Sequence, residues 1–432
     1  MDFKTEIITL QQILDAREYR HNVQQRLLSE FHRPILSFTM NIAGEIKQTL
    51  LIEFAFDYGI QSILDLLGTP LQMSILRRPT GYEAFFVYEN TAEEIKQSCM
   101  RIESESPVGR LFDMDVIDID GQKLSRPETR TCIVCGGPVA PCSRSRAHGL
   151  ETIKSCTNQI LLQFASQHFA VLAVEALKEE VRFAPKPGLV DLRNQGAHTD
   201  MDVALFERSA DSLHSYFEES FLLGAEEKDC MHKLQKAGIA AESRMLQTTN
   251  GVNTHKGAIY SFGIILAAFG NYFVCGDNIF LHASRLAKSA AASDQKTHGR
   301  EVFQKYGIRG AREEAEAGLP SAKKAYQFLK QSNGDILSTL LHLIAECPDT
   351  NLLYRGGLKG LRYAQSWAKF VLSLPVFLRP WLAGHMDNAF IRKNLSPGGC
   401  ADLLALALFL EKADSLWNEK EYSHGQILHK CI

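Results

Sequence analysis

The sequence predicts a multi-domain protein in which an N-terminal α/β domain is followed by an all-α helical domain. Its 432 residues exceed the size of one typical domain, and hydrophobic residues, at 45% of the chain, suffice for more than one core. Short apolar runs with strand-like alternation occur before about residue 150, whereas helical spacing dominates after about residue 156. We therefore expect one domain at 1–155 and a second at 156–432.

The first predicted domain begins with a helix and continues with short buried strands. The helix is expected within 7–30, where apolar residues have helical spacing. Strands are expected at 34–40, 74–76, 84–88 and 111–119. The pair Asp120-Gly121 then predicts a tight hairpin turn.

The last of these strands carries two carboxylates on one face. Asp113 and Asp115 occupy alternate positions, and Arg110 precedes them. Closely spaced oxygen ligands suit a divalent cation bound to phosphates, and an arginine can neutralise phosphate oxygens. The pattern is typical of a phosphodiester-forming transferase with a metal-bound pyrophosphate leaving group. The alternative is an acidic edge strand that faces solvent.

A group of possible metal ligands follows this strand. It consists of Cys132, Cys135, Cys142 and His148. The first two form a CxxC pair, which suits zinc, but the other spacings differ from those of a common zinc finger. Arginines surround the group at 126, 130, 144 and 146. A zinc site, an unliganded turn and part of a polyphosphate pocket are therefore all open.

Several strings in this domain resemble the holo-acyl-carrier-protein synthase of citrate lyase. They are LGTP at 67–70, GRLFDMD at 109–115, LSR at 124–126, RTCIVC at 130–135 and CSRSRAH at 142–148. The resemblance implies transfer of a phosphoribosyl-dephospho-CoA group to a serine of the lyase's acyl carrier protein, the gamma subunit, with release of pyrophosphate. It also implies a nucleotidyltransferase-like fold, Mg²⁺ on Asp113 and Asp115, and substrate contacts from Arg110, Arg126 and Arg130.

Apolar residues at helical spacing predict the elements of the second domain. Such stripes recur at 160–181, 204–222, 226–246, 258–274, 276–292, 335–346, 358–374 and 400–412. Strand-like alternation is scarce there, and glycines and prolines are concentrated in short connectors.

The connector at 185–202 is the first with candidate functional groups. Its prolines exclude a helix. Lys186 can reach a phosphate, while Asp191, Asp200 and Asp202 are candidate cation ligands. The alternative is a capped helix entry, with Asp200 or Asp202 as the N-cap.

Further polar residues lie where loops meet helices. Lys256 near a helix N-terminus is a candidate anion contact, although the glycine spacing is not that of a P-loop. His255 is a candidate catalyst, with a hydrogen-bonded structural histidine as the alternative. Each junction could reflect capping alone, but together they predict convergence on a polar cavity. The remaining candidates are Asn194, His198, Asn253, Arg312, Asp349, Asn351, Arg355, Asn394, Ser396 and Asp402.

Three strings in the second domain resemble the triphosphoribosyl-dephospho-CoA synthase of the citrate lyase system. They are PKPGLVD at 185–191, GVNTHKG at 251–257 and NLSPGG at 394–399. The resemblance implies that ATP and 3′-dephospho-CoA form 2′-(5″-triphosphoribosyl)-3′-dephospho-CoA with release of adenine. Asp191, Asp200, Asp202 and His255 are then candidate catalytic residues, and the other candidates bind substrates. The chain departs from the family pattern at Glu313, Leu319 and Cys400.

Taken together, the two resemblances predict a bifunctional transferase, because the product of the second domain is the substrate of the first. Mg²⁺ is expected, ATP and 3′-dephospho-CoA are substrates, and the apo-acyl carrier protein of citrate lyase is the partner. Alternatives are the same chemistry for malonate decarboxylase and a metal-dependent nucleotide hydrolase in the helical domain. A zinc-stabilised carrier-docking module without catalysis is a third alternative, for the first domain.

Overall fold

The computed structural model describes residues 8–127, 129–290, 298–308 and 310–417. They form two compact units, an N-terminal unit that ends at Ala165 and a helical unit that starts at Ser166. The first combines a small sheet with helices, and in the second the structure describes helices and no strand. The prediction of an α/β domain followed by an all-α domain is therefore confirmed.

Among its described residues, the N-terminal unit contains four strands and five helices, of which the last continues into the helical unit. In chain order they are α1 (Leu10–Phe31), β1 (Ile35–Met40), α2 (Leu50–Leu67), β2 (Gln72–Arg78), β3 (Gly81–Val87), α3 (Ala92–Glu105), β4 (Phe112–Ile117), α4 (Val139–Ser145) and α5 (Leu150–Arg182). A 3-10 turn at Pro107–Leu111 connects α3 to β4.

The strands form one antiparallel sheet in the order β2-β3-β1-β4. Asp113 of β4 lies opposite Thr39 of β1, and Asp115 lies opposite Ser37. Because side chains alternate along a strand, these four residues share one face of the sheet. The register therefore sets both carboxylates beside a polar strip of β1.

Helices cover both faces of this sheet. On the face of Ile35 and Phe85, α1 contributes Val23, Leu27 and Leu28 to a buried cluster. On the opposite face, the Phe38 ring stacks on Phe56 of α2 and packs edge-on against Phe112. Burial of these apolar faces is the main stabilisation of the unit.

The predicted strands and the N-terminal helix are confirmed, with shifts of a few residues at their ends. The hairpin turn is confirmed as well, since the Gly121 N–H donates to the Asp118 carbonyl at 2.9 Å and Gly121 has φ +81°. The sequence analysis missed α2 and α3. Helix α2 buries residues around most of its circumference, so it lacks the one-sided stripe that predicts a surface helix.

The helical unit contains the end of α5 and thirteen further helices among its described residues. They are α6 (Val203–Ser212), α7 (His214–Glu226), α8 (Met231–Thr248), α9 (Lys256–Cys275), α10 (Ile279–Ser289), α11 (His298–Tyr306), α12 (Ala311–Glu316), α13 (Pro320–Gln331), α14 (Ile336–Glu346), α15 (Thr350–Leu372), α16 (Arg379–Arg392), α17 (Gly398–Lys412) and α18 (Asp414–Trp417). A 3-10 turn at Val376–Leu378 precedes α16.

Each predicted stripe overlaps helices of this set, and the stripe at 204–222 is divided between α6 and α7. Residues 291–292 of the stripe at 276–292 lie outside the described residues. The helices α11, α12, α13, α16 and α18 were not predicted. Helix α15 bends at Gly357, whose φ of +57° is in the region that favours glycine. This bend is why the predicted stripe begins after Gly357.

Two helices, Leu150–Arg182 and Lys256–Cys275, are long and apolar enough to cross a membrane by length and composition alone. The most apolar windows of these helices are 56% and 78% buried inside the fold, and core helices of soluble proteins pass the same test. Their apolar character is accounted for by packing within the protein.

Helix α9 lies in the core of the helical unit and approaches α7 closely at two glycines. A Cβ at Gly224 of α7 would overlap the carbonyl oxygen of Ala267, and one at Gly270 of α9 would overlap that of Phe221. Both obstacles are backbone atoms, which cannot rotate away. The two helices can therefore pack this closely only with glycine at these positions.

We predict that Gly224→Ala destabilises the helical unit by about 1–3 kcal/mol, because the added methyl group forces the two helices apart. Urea unfolding followed by circular dichroism measures this change. The matched control is Gly238→Ala in α8, where the nearest atom to the new Cβ would be 3.4 Å away. That control is expected to be neutral or to gain up to about 1 kcal/mol from helix propensity. Equal stability of the two variants would contradict the packing account.

Candidate functional site

The N-terminal unit places the two predicted carboxylates on an edge strand, and neither is exposed. Asp115 forms an ion pair with Lys123, with Nζ 2.5 Å from Oδ1. Asp113 makes no hydrogen bond with the described part of the protein. Burial and the charge of Asp115 raise the pKa of Asp113, while Lys123, Arg130 and Arg20 oppose this shift. The strand thus carries two neighbouring carboxylates, of which Asp115 is paired with Lys123 and Asp113 is in no ion pair with the described residues.

A buried glutamate, Glu103 of α3, holds two of the predicted arginines beside this strand. Its carboxylate pairs with Arg126 and Arg130, and it accepts a hydrogen bond from the Met114 backbone N–H at 3.2 Å. Arg130 also donates to the Arg110 carbonyl at 3.4 Å. Residues 110, 126 and 130 are therefore brought together next to β4, while their predicted role as substrate contacts stays a prediction.

The sequence analysis missed Glu103 and a second carboxylate, Glu83. Glu83 of β3 shares a face with Thr39 and receives Arg20 at 3.0 Å from Nε. A buried charge among the apolar residues of β3 was an available signal for Glu83. Glu103 lies near the polar end of α3, where a glutamate gives no such signal.

The structure brings the predicted cysteine and histidine group together. The potential ligand atoms of Cys132, Cys135, Cys142 and His148 all lie within 4.8 Å of one another. Backbone N–H groups of Cys135 and Val134 lower the pKa of Cys132 to about 7. The convergence itself, across seventeen residues that include α4, favours a ligand-binding site over a chance turn.

In the helical unit, the predicted connector is built around two buried charges. Lys186 is only 1% exposed, and its Nζ lies 2.5 Å from Oε1 of Glu180 in α5. Burial lowers the pKa of Lys186 and raises that of Glu180, and each opposes the shift of the other. Lys186 therefore lies inside the fold, paired, and Glu180 is a residue that the sequence analysis missed.

Two aspartates hold the connector in shape. Asp191 accepts backbone hydrogen bonds from Lys186 at 2.9 Å, from Arg193 at 2.7 Å and from Asn194 at 3.1 Å. Asp387 of α16 accepts from the Gly188 N–H at 2.9 Å and from the Asn194 side chain at 2.8 Å. Asp387 was also missed, because nothing around it in α16 forms a recognisable motif.

Arg355 of α15 links two of the predicted segments. Its guanidinium donates to the Ala197 carbonyl and to Oδ1 of Asn394, both at 2.7 Å, and lies 3.2 Å from Nδ1 of His198. His198 is in turn 2.9 Å from the hydroxyl of Ser396. Burial and the charge of Arg355 lower the pKa of His198 to about 4, so its imidazole is neutral. The side chains of Arg355, His198, Asn394 and Ser396 thus form one polar cluster.

Two further carboxylates of the helical unit, Asp349 and Asp402, interact electrostatically. Asp349 caps α15 through the N–H groups of Asn351 and Leu352, and it accepts the Cys400 N–H at 2.8 Å. Asp402 lies against Gly257, where a Cβ would overlap its carboxylate, and it makes no hydrogen bond with the described residues. Burial and the charges of Glu180 and Asp349 raise the pKa of Asp402 well above its usual value.

His255 is a buried, hydrogen-bonded residue near Lys186. Its Nδ1 is 2.7 Å from the Ser209 hydroxyl, and its ring packs edge-on against Phe206. Burial and the charge of Lys186 lower its pKa to about 3. The geometry therefore matches the structural alternative for this histidine.

The other candidates have local partners. Asp202 caps α6 through the Leu205 N–H at 2.8 Å, which confirms the capping alternative for this residue, whereas Asp200 is exposed. Lys256 pairs with Glu242, and its backbone N–H donates to Asn253. Asn351 packs against Gly398.

Of the departures from the family pattern, Cys400 is buried beside Asp349, and its thiol contacts that of Cys347. Leu319 is buried and precedes α13, whereas Glu313 is exposed on α12. On the same helix, Arg312 pairs with Glu316 at 2.9 Å and donates to the Ala290 carbonyl.

Two protein-family profiles match this chain in tandem. Residues 8–164 match the family described as apo-citrate lyase phosphoribosyl-dephospho-CoA transferase. Residues 166–421 match the family described as ATP:dephospho-CoA triphosphoribosyl transferase. Both resemblances predicted from the sequence are therefore confirmed.

Two curated relatives match this chain over nearly their whole length, and a third matches about half of this chain. Protein CitXG of Haemophilus influenzae is 33% identical over 93% of this chain and 96% of the relative. Protein CitXG of Leuconostoc mesenteroides subsp. cremoris is 31% identical over 94% and 97%. The 2-(5″-triphosphoribosyl)-3′-dephosphocoenzyme-A synthase of Escherichia fergusonii is 41% identical over 56% of this chain and 89% of the relative. This chain belongs to the CitXG family, in which a CitX domain for apo-citrate lyase precedes a CitG triphosphoribosyl transferase domain.

Proposed function

We propose that this chain makes the prosthetic group of citrate lyase and attaches it to the apo-acyl carrier protein, the lyase's gamma subunit. The helical domain, 156–432, converts ATP and 3′-dephospho-CoA to the triphosphoribosyl product and adenine. The first domain, 1–155, transfers the phosphoribosyl-dephospho-CoA group to a carrier serine and releases pyrophosphate. The observation that carries the proposal is the tandem family match, in which one reaction's product is the other's substrate. Both reactions belong in the cytoplasm, where ATP is available.

In the helical domain, Asp402 is the general base. Displacement of adenine requires removal of a proton from the attacking ribose hydroxyl of dephospho-CoA. Asp191, Asp202 and Asp349 are engaged by backbone N–H groups, whereas the carboxylate of Asp402 has no such partner. Its raised pKa makes it a stronger base than an ordinary aspartate.

The polar cluster of Arg355, His198, Asn394 and Ser396 binds the triphosphate of ATP. Arg355 supplies the positive charge, and its contacts with Ala197 and Asn394 fix the direction of the guanidinium. Because Arg355 can only donate to Nδ1 of His198, the single N–H of the neutral ring lies on Nε2 and faces the Ser396 oxygen, which leaves the Ser396 hydroxyl hydrogen for a phosphate oxygen. Lys186, by contrast, does not bind the triphosphate, since its ammonium is buried and paired with Glu180. It acts through its charge on neighbouring buried groups such as His255.

In the first domain, Asp113 and Asp115 hold Mg²⁺. The fit of these residues to a cation is supported by their shared strand face and by the repulsion that raises the pKa of Asp113. When bound, Mg²⁺ neutralises the negative charge on the departing pyrophosphate. Arg126 and Arg130, held by Glu103, bind the remaining phosphate oxygens. We also assign this domain a nucleotidyltransferase-like fold, on the basis of this carboxylate pair.

The test of the function is an incubation of the full chain with ATP, Mg²⁺ and 3′-dephospho-CoA, followed by chromatography for adenine and the coenzyme adduct. Adenine that appears only with dephospho-CoA supports the synthase reaction. Adenine without the acceptor would favour a nucleotide hydrolase, and no adenine would contradict the assignment. Adding purified apo-carriers of citrate lyase or malonate decarboxylase then identifies the preferred acceptor.

We predict that Asp402→Asn lowers the rate of adenine release on the order of 100- to 10,000-fold, because the hydroxyl proton loses its acceptor. The wild-type rate should fall toward acid pH as Asp402 protonates, and this fall should be absent from the residual rate of the variant. Initial rates across pH measure both effects.

The matched control for this prediction is Glu411→Gln, an exposed carboxylate on the same helix, α17. It should release adenine at the wild-type rate. Wild-type kinetics in Asp402→Asn would remove Asp402 from the mechanism.

We predict that Asp113→Asn and Asp115→Asn each reduce carrier modification on the order of 100-fold, since each removes a charge from the proposed metal site. Adenine release should not change. Intact-protein mass spectrometry of the carrier measures the modification, and Asp120→Asn in the exposed hairpin turn is the control. Normal modification by both variants would favour the docking-module alternative.

A further inference from the structure

The segment between β4 and α5 has almost no apolar core of its own. Among the described residues from 118 to 149, Cys132 is the only buried one. The one helix within the segment, α4, has no buried residue. Short segments without a hydrophobic core are commonly ordered by a disulfide or a metal ion. The order of this segment therefore calls for another source of stabilisation.

Four side chains of this segment converge on one point. Their potential ligand atoms lie within 4.8 Å of one another, and the sulfurs of Cys135 and Cys142 are 3.5 Å apart. In a tetrahedral zinc site with bonds of about 2.3 Å to sulfur, neighbouring sulfurs are separated by about 3.8 Å. The observed spacing is thus close to that of a ligand set around a single zinc ion.

The backbone around the first cysteine pair forms a tight turn that directs both thiols to one side. The Gly136 N–H donates to the Cys132 carbonyl at 2.9 Å, and the Cys132 N–H donates to the Gly137 carbonyl at 2.6 Å. The Val134 N–H points at the Cys132 sulfur, 3.4 Å away. Backbone N–H groups that face a sulfur stabilise a thiolate, which is the form that binds a metal.

The imidazole of His148, the fourth of these side chains, has an unsatisfied ring nitrogen, which is an independent indication of a ligand. His148 has a buried Nε2 atom with no hydrogen-bond partner among the described residues. A buried polar nitrogen without a partner costs free energy, so such atoms are rare in folded proteins. A metal ion bound by this imidazole would allow both ring nitrogens to be satisfied.

We propose that Cys132, Cys135, Cys142 and His148 bind one structural Zn²⁺ ion. Three thiolates and one imidazole are a donor set that suits zinc and not Mg²⁺, which takes oxygen ligands. Four protein ligands fill a tetrahedral site and leave no position for a reacting water, so the ion orders the segment and takes no part in chemistry.

The site also has a consequence for the neighbouring carboxylates. Arg130 lies two residues before Cys132, and the Arg110 guanidinium donates to the carbonyl of Thr131 between them. The Val139 N–H closes the turn onto the Arg130 carbonyl at 3.1 Å. Zinc that fixes this turn therefore fixes the position of Arg130 beside Glu103 and Asp113.

The test is the metal content of the full chain, purified under reducing conditions and dialysed, by mass spectrometry of the elements. About one zinc per chain is expected for a closed site. Cys135→Ser and Cys142→Ser should each lose most of it, whereas Cys156→Ser, a cysteine of α5 outside the group, should keep it. Cobalt in place of zinc should give the visible bands of a tetrahedral thiolate site, and His148→Asn should shift them.

A second readout reports on structure without activity. The segment contains Arg126, Arg130, Arg144 and Arg146, so trypsin should cut it after chelation and spare it when zinc is bound. Adenine release, which is the reaction of the helical domain, should not change in the ligand variants.

Two outcomes would overturn the proposal. One is a full chain, purified under reducing conditions, that binds neither zinc nor cobalt. The other is retention of zinc by both serine variants at the level of Cys156→Ser.

Discussion

The buried ion pair between Glu180 and Lys186 is the interaction on which the helical site depends. Two charges in a protein interior are stable only when they are paired and well hydrogen-bonded, and this pair lies where α5 ends and the connector to α6 begins. The backbone of Lys186 is held by Asp191, and its charge acts on His255. Burial raises the pKa of Asp402, and the charges of Glu180 and Asp349 raise it further. The pair thus anchors the start of the connector through Lys186 and contributes to the basicity of the proposed catalytic group.

A buried, ion-paired glutamate also organises the N-terminal unit. Glu103 is buried, pairs with Arg126 and Arg130, and also receives the backbone N–H of Met114 in β4. The carboxylate therefore fixes cationic side chains relative to the strand that carries Asp113. In each unit a buried glutamate positions cations, while a less engaged aspartate is left for the substrate or its metal. Zinc at the neighbouring turn would add a second constraint on Arg130.

Much of this could be predicted from the sequence. Alternation along 111–119 placed Asp113 and Asp115 on one face, and connector motifs identified Arg355, His198 and Ser396, which the fold brings into contact. The organising residues Glu103, Glu180 and Asp387 could not be predicted, because each lies in a helix where a charged residue normally faces solvent. Only tertiary packing distinguishes them. Sequence spacing also could not show that Lys186 is paired inside the fold or that Asp202 only caps a helix.

The most direct test of this account is a double-mutant cycle on Glu180→Gln and Lys186→Met, with unfolding free energy and the pH dependence of adenine release measured for each variant. Either single change should cost about 3–5 kcal/mol, whereas the double variant should recover most of that loss. Because the charge of Glu180 is gone, the pKa of Asp402 should fall, and the acid limb of adenine release in the double variant should move to lower pH. A double variant as unstable as the single ones, or an unmoved acid limb, would contradict the claim that this pair sets the chemistry of the site.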